Sequence, residues 1–187
     1  MKEFIGLEVE NIIHGPELTV KQEDFCNCEI VPTLVEGRGM PRHTRYQGAI
    51  IKGHKILLIM HRQHSSGRSY WVIPGGGIED SETEEECVRR EMKEETNLDV
   101  RVEGLLIDEP GHPDGVYQRR KTFLCRPISG EPSPGYEPEP EAAADYSISE
   151  VRWFDLREQA SWDDLLTHDR FTYPQMLKLR ELLGYST

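Results

Sequence analysis

Positive charge is in deficit in this chain. It sets 22 Lys and Arg against 34 Asp and Glu, a net charge of −12. Non-specific binding to nucleic acid neutralises phosphates with Lys and Arg, so that mode is not expected. An anionic small substrate is not excluded, but it needs a local basic cluster or a divalent cation. Long apolar runs are also missing. The longest, ILLIM at 56–60, falls far short of the ~18 residues of a membrane span, so no membrane partner is expected. No basic stretch followed by an apolar one opens the sequence, and no secretory leader is expected. Cysteine is sparse: Cys26, Cys28, Cys87 and Cys125. Their spacing gives neither a disulfide framework nor a paired CxxC zinc site. Free thiols in a reducing cytoplasm are the expectation.

What remains suits one domain with an appendage. Residues 1–43 read as an N-terminal extension of unclear structure, with EVENIIHG and EIVPTLVEG as short strand candidates. Residues 44–187 read as the main domain. YQGAIIKGHKILLIMHR gives two strands around a tight turn at Lys52-Gly53-His54. YWVIP gives a short strand, followed by Gly75, Gly76 and Gly77. A helix is expected from about Glu82 to Thr96, opened by a Ser81–Glu84 capping box and ended by Asn97 in a left-handed turn. LDVRVEGLLID, RRKTFLCRPI and EVRWFDL are further strands. The Pro- and Glu-rich segment 128–147 reads as a long loop. A Ser161–Asp164 capping box opens a short helix, and Pro174 reads as the first residue of a last one. Strands interrupted by one helix and closed by another predict an α/β sandwich with a mixed sheet.

The helix carries an unusual acidic edge. Glu91, Glu94 and Glu95 fall at i, i+3 and i+4, spanning about 100° of the helical wheel. Solvated helix faces usually mix signs, whereas Glu91 and Glu95 are like charges one turn apart. Val88 and Met92 place them beside the apolar stripe rather than opposite it. Such clustered carboxylates suit either a solvated acidic face or a site for a hard cation such as Mg²⁺, which takes oxygen ligands.

The upstream residues bear on that choice. From Gly76 to Leu98 the chain reads GGIEDSETEEECVRREMKEETNL. Gly76, Glu82, Arg90-Glu91-Met92, Glu94-Glu95 and Leu98 fall at the spacings of the Nudix box, which this segment resembles. One position departs: Asn97 stands where the family has a final Gly. Both residues tolerate positive φ. The resemblance extends from about Arg45 to Leu156.

The resemblance implies a Nudix-type α/β/α sandwich that hydrolyses a pyrophosphate bond in a nucleoside diphosphate linked to another moiety. Mg²⁺ or Mn²⁺ is the implied cofactor. It implies Glu91, Glu94 and Glu95 as metal ligands and catalytic residues, the Gly76 carbonyl as a further ligand, Arg90 as the residue orienting a glutamate, and Glu82 as structural. Glu150 lies where some relatives place an extra ligand or base. Arg62 and Arg68 are candidate phosphate holders, since Arg suits bidentate contacts. Arg119-Arg120-Lys121 is the densest basic run. Trp71, Trp153 and Tyr117 are candidate base-stacking residues or core residues, and His43, His61 and His64 show no metal spacing. Pro113 lies 15 residues after Leu98, about where an ADP-ribose-cleaving subgroup carries a Pro. ADP-ribose, nucleotide sugars and nucleoside triphosphates stay open as substrates. A homodimer is an option by family analogy. A catalytically silent Nudix-fold binding module is the alternative.

Overall fold

Apolar runs set the strands, and glycines set where they turn. In the computed structural model, which describes residues 42–136 and 140–185, β1 covers Arg42–Lys52 and β2 covers Lys55–Gln63. Gly53, at φ 61°, turns the chain between them. The strands expected in EVENIIHG and EIVPTLVEG, and the Cys26–Cys28 pair, lie outside the described residues.

β1 and β2 pair only beside their turn, at Ile51–Ile56 and Lys52–Lys55. Beyond it each takes other partners. β2 is flanked by β3 (Ser69–Val72) and β7 (Tyr146–Asp155), both antiparallel. β1 pairs with the two-residue β4 (Gly75–Gly76) and, in parallel, with β6 (Tyr117–Ser129). β5 (Asp99–Pro110) closes that wing antiparallel to β6. The seven strands form one mixed sheet that forks into two wings at the β1–β2 hairpin.

Helices cover both faces. α1 (Glu84–Thr96) buries Cys87, Val88 and Met92 against Tyr46, Ile50, Leu57 and Phe123. Burial of each large apolar side chain contributes roughly 1.5–3 kcal/mol. A Cβ on Gly48 would overlap the Met92 sulfur, so the bare backbone of β1 lets α1 sit close. On the other face α3 (Asp164–Thr167) and α4 (Thr172–Leu182) bring Leu166, Met176 and Leu179 onto Ile56, Leu58, Trp71 and Phe154. This is the expected α/β/α sandwich. Among the described residues no helix is long and apolar enough to cross a membrane.

Several local expectations are corrected. α1 starts at Glu84, and its capping box is Thr83–Glu86, not Ser81–Glu84. The Glu86 carboxylate accepts the Thr83 N–H at 2.8 Å, and Thr83 Oγ1 accepts the Glu86 N–H at 3.3 Å. Ser81 instead takes φ 72° in the preceding turn, which leaves Glu82 free to meet Arg90. Ser161 ends a 3₁₀ turn (Gln159–Ser161), and Asp163 caps α3 by accepting the Leu166 N–H at 3.0 Å. α4 begins two residues before Pro174, with Asp169 accepting the N–H of Phe171 and of Thr172. Pro174 still lies in the first turn, where its missing N–H costs no helical bond. Segment 128–147 is not a bare loop: β6 runs into it, and α2 (Pro140–Asp145) leads directly into β7.

Candidate active site

α1 presents its three glutamates toward the Gly75–Gly77 turn, and one guanidinium organises two of them. Arg90 Nη1 donates to Glu91 Oε1 at 2.9 Å and to Glu94 Oε2 at 3.0 Å. Its Nε and Nη2 donate to the two Glu82 oxygens at 2.7 and 3.0 Å, and Nη2 also reaches the Gly77 carbonyl at 2.9 Å. These are charge-assisted bonds with the fork geometry Arg supplies. Arg90 therefore ties the helix to the glycine turn, and Glu82 anchors it from outside the helix.

Glu95 is held differently. Its Oε2 accepts the Gly75 N–H at 2.6 Å, and its Oε1 lies 3.8 Å from Nε2 of His61. Glu95 and Glu91 are both buried. Burial, then the facing Glu95 carboxylate, pushes the Glu91 carboxyl well above the usual carboxylate range, against the pull of Arg90 and Arg45. A Cβ on Gly76 would overlap the Glu91 carboxylate, so only glycine leaves room for that acid beside the turn.

Among the described residues no three His, Cys, Asp or Glu side chains converge tightly enough to enclose an ion. Arg90 takes up Glu91 and Glu94, and the Gly75 amide takes up Glu95. The donor set nevertheless fits a hard divalent ion in kind. It is all oxygen, and two of its carboxylates are buried like charges that a cation would relieve.

A second wall of the site was not legible in the sequence. Arg45 of β1 lies with its guanidinium carbon 5.4 Å from the centre of the Tyr117 ring. Burial opposes its charge, but the Tyr117 phenol and the carboxylates of Glu95 and Glu91 outweigh burial and hold its pKa above the ordinary arginine range. His61, expected to be only polar, is buried and stacked on Tyr146 at 4.1 Å, with Tyr70 edge-on at 5.6 Å. The only hint of this wall in the sequence was Tyr117 as a stacking candidate.

Arg62, at the end of β2, and Arg68, in the β2–β3 turn, are exposed, and their side chains make no hydrogen bond or ion pair among the described residues. Glu150 pairs with Arg152 at 2.6 Å. Arg152 in turn bonds Asp163 at 2.8 Å and lies over the Trp71 ring at 4.8 Å, on the face covered by α3. The basic run is committed to carboxylates: Arg119 to Asp108, Arg120 to Glu109 and Lys121 to Glu84. Trp71 is core, its indole N–H donating to Asp163, and Trp153 packs against the α1 cluster. His64 bonds the Ala144 carbonyl.

Asn97 has a role of its own. It ends α1 at φ 61°, as expected. Its side-chain amide donates to Ser133 Oγ at 2.9 Å and faces the Ser133 and Pro134 carbonyls at 3.3 and 3.4 Å. The same loop caps the helix: Ser133, Gly135 and Tyr136 donate their N–H groups to the carbonyls of Thr96, Glu95 and Glu94. A glycine at 97 would keep the turn and lose the side-chain tie. Asn97→Gly is expected to lower stability by about 1 kcal/mol in urea unfolding, even though Gly enters the left-handed region more readily. A variant as stable as wild type would refute this role.

The Nudix domain family model matches residues 42–175. The chain belongs to the Nudix family. It is 48% identical over 91 residues to an ADP-ribose pyrophosphatase of Methanocaldococcus jannaschii, covering 45% of this chain and 50% of that protein. It is 34% identical over 109 residues to the NAD-capped RNA hydrolase NudC of Vibrio atlanticus, covering 58% of this chain and 35% of that one. The chain thus spans about half the length of these relatives or less. Among solved structures, a NUDIX hydrolase from Nitrosomonas europaea aligns with TM-score 0.57 at 20% identity, over 77% of this chain and 90% of its own. An ADP-ribose pyrophosphatase from Streptococcus suis aligns with TM-score 0.54 at 22% identity, over 75% and 90%. At such identities the structural likeness speaks for the fold alone.

Proposed function

We propose that this chain is a Mg²⁺- or Mn²⁺-dependent pyrophosphohydrolase, its domain at 44–187 acting on a nucleoside diphosphate linked to another moiety. ADP-ribose, a nucleotide sugar or a nucleoside triphosphate fits that description. The observation that carries the reading is the gathering of Glu91, Glu94 and Glu95 against the Gly75–Gly77 turn, with two of the three buried. The printed activities of the relatives, on ADP-ribose and on NAD-capped RNA, support the substrate class.

A bound divalent ion neutralises phosphate charge and lowers the pKa of a bound water. The protein's own part is the rest. Glu91, Glu94, Glu95 and the Gly76 carbonyl supply oxygen donors, and Arg90 fixes the directions of two of those carboxylates. One glutamate takes the proton of the attacking water. The water oxygen bonds to one phosphorus, the bridging P–O bond breaks, and two phosphate-bearing fragments leave.

The test is a panel of ADP-ribose, NAD, UDP-glucose, ATP and a dinucleoside polyphosphate, incubated with the full chain and Mg²⁺. At least one is expected to release a nucleoside monophosphate, and EDTA is expected to stop the release. A chain that binds a nucleotide yet turns over none of them would instead be the silent binding module.

A further inference from the structure

Cys87 is a buried thiol that the hydrolysis itself does not use. It lies on α1 one turn ahead of Glu91 and is a free cysteine shut off from solvent. Its Sγ donates to the Gly77 carbonyl at 3.3 Å and accepts from Arg90 Nη2 at 3.8 Å. The same Nη2 donates to that carbonyl at 2.9 Å. Thiol, guanidinium and carbonyl close a triangle, so α1 is stitched to the glycine turn from two positions one turn apart on the helix. Burial, then the charge of Glu91, pushes the Cys87 thiol up to about 12, so it keeps its proton and acts as a donor. The turn needs such stitches. Gly75, Gly76 and Gly77 have no side chains to hold them and the widest backbone freedom of any residue type. Outside contacts set their geometry instead. The Gly48 N–H donates to the Pro74 carbonyl at 3.0 Å, and the Gly75 N–H donates to Glu95 at 2.6 Å. Past the pairing of Gly75 and Gly76 with β1, the next hold is the Gly77 carbonyl. The peptide that carries the Gly76 carbonyl thus lies between a hold at Gly75 and a hold at Gly77.

We propose that Cys87 is a positioning residue for the metal site: its thiol, together with Arg90, holds the Gly77 carbonyl and so keeps the Gly76 carbonyl in place as a donor to the divalent ion. The assignment rests on the metal-dependent reading above, and it gives a role to a residue that no carboxylate spacing points to. Cys87 is not itself a ligand. A hard ion such as Mg²⁺ takes oxygen donors, and a ligand thiol must first lose its proton. The division of labour between the two stitches follows from bond strength. The guanidinium bond is charge-assisted and the stronger of the two, but Nη2 is shared between Gly77 and Glu82. A thiol is a weak donor. It adds little energy, but it meets the carbonyl from a second point on the helix and removes a direction of tilt. A carbonyl ligand tolerates little tilt, because Mg²⁺ demands near-octahedral geometry at about 2.0–2.1 Å. Groups that orient a ligand without touching the ion change metal affinity by about 10- to 100-fold when removed. A weak donor backed by Arg90 belongs at the low end of that range.

Mn²⁺ is the probe, titrated into the full chain without nucleotide and followed by the electron paramagnetic resonance signal of the free ion. Wild type is compared with Cys87→Ala, Cys87→Ser and Cys87→Val. Alanine and serine leave nearly the same gap beneath the turn and differ in the donor; valine fills the gap and has no donor. C87A and C87V are expected to weaken Mn²⁺ binding by about 10-fold, and C87S is expected to stay close to wild type. Tm in EDTA is expected to fall alike in C87A and C87S, as a gap in packing requires, so Mn²⁺ affinity separates positioning from packing. A C87A chain that binds Mn²⁺ within about twofold of wild type overturns the proposal. So does a C87S chain as weak as C87A, or a C87V chain that matches wild type, since either would assign the effect to volume. If C87A does not fold, C87V against C87S decides, and the proposal falls if C87V binds Mn²⁺ as tightly as C87S. A wild type that takes up no Mn²⁺ overturns the metal reading and this proposal with it. A wild type that binds Mn²⁺ while the variants bind it equally well overturns this proposal alone.

Discussion

Glu95→Gln is expected to lower kcat by roughly 10²- to 10⁴-fold on whichever diphosphate the chain turns over. Glu95 is the most buried of the three glutamates, at 1% exposure. The Gly75 N–H fixes one oxygen at 2.6 Å and leaves the other toward His61 and the interior of the site. Glutamine keeps the volume and can still accept from Gly75 through its carbonyl. What it loses is the charge. That loss has two effects of opposite sign, and the pair makes the experiment specific. Without metal, Glu91 no longer faces a buried like charge, so Tm in EDTA is expected to rise or hold. With Mg²⁺, the stabilisation a native-state ligand supplies is expected to shrink or vanish. An ordinary packing defect would lower Tm in both conditions. Glu94→Gln, at a more open position, is the companion variant with the same direction. Full activity in both variants would remove these residues from the metal site.

Arg90→Ala is expected to cost about 3 kcal/mol of folding stability, or on the order of 10 °C in Tm for a domain of this size. Three carboxylates and a backbone carbonyl converge on this one guanidinium. Removing it leaves Glu91 and Glu94 adjacent with no cation between them, and it frees Glu82 from the helix. Because Glu91 is buried, the loss exceeds that of an exposed ion pair, which is typically below about 1 kcal/mol. Arg90→Lys is expected to recover only part, since one ammonium cannot reach both Glu82 oxygens and both helix acids. Urea unfolding measures both variants. A cost below about 1 kcal/mol for R90A would mark the cluster as surface decoration. Added Mg²⁺ is expected to offset part of the loss by supplying the missing positive charge.

What could be read from the sequence follows from how local each signal is. Spacing between Gly76 and Leu98 is a property of one turn and one helix, so the acidic edge and its relation to Arg90 were legible residue by residue. Strand positions were legible from the apolar runs at 46–60 and 98–128. The capping box was read two residues early because Ser81 and Thr83 both carry an acid three residues on. Only the structure shows that Glu82 is drawn away to Arg90 and cannot belong to the helix. Arg45 and His61 were missed for a different reason. Their significance depends on β1 and β2 parting beyond the hairpin, which brings Arg45, Tyr117, His61 and Tyr146 to the glutamates from four separate strands. No spacing rule encodes that. Glu150 illustrates the converse: a plausible position along the chain lies, in three dimensions, with Arg152 on the α3 side.

The loop that meets Asn97 has a consequence for how the glutamates move. A helix end ordinarily frays first, and its amides exchange with solvent ahead of the core. Here the last carbonyls of α1, including those of Glu94 and Glu95, accept N–H groups from Ser133, Gly135 and Tyr136. Neither partner can open without releasing the other. The amides of Gly135 and Tyr136, which sit in a Pro- and Glu-rich stretch, therefore share a protection factor with the final turn of the helix rather than with their own chain neighbours. Two stretches far apart in sequence form one cooperative opening unit, and the glutamates at 94 and 95 belong to it.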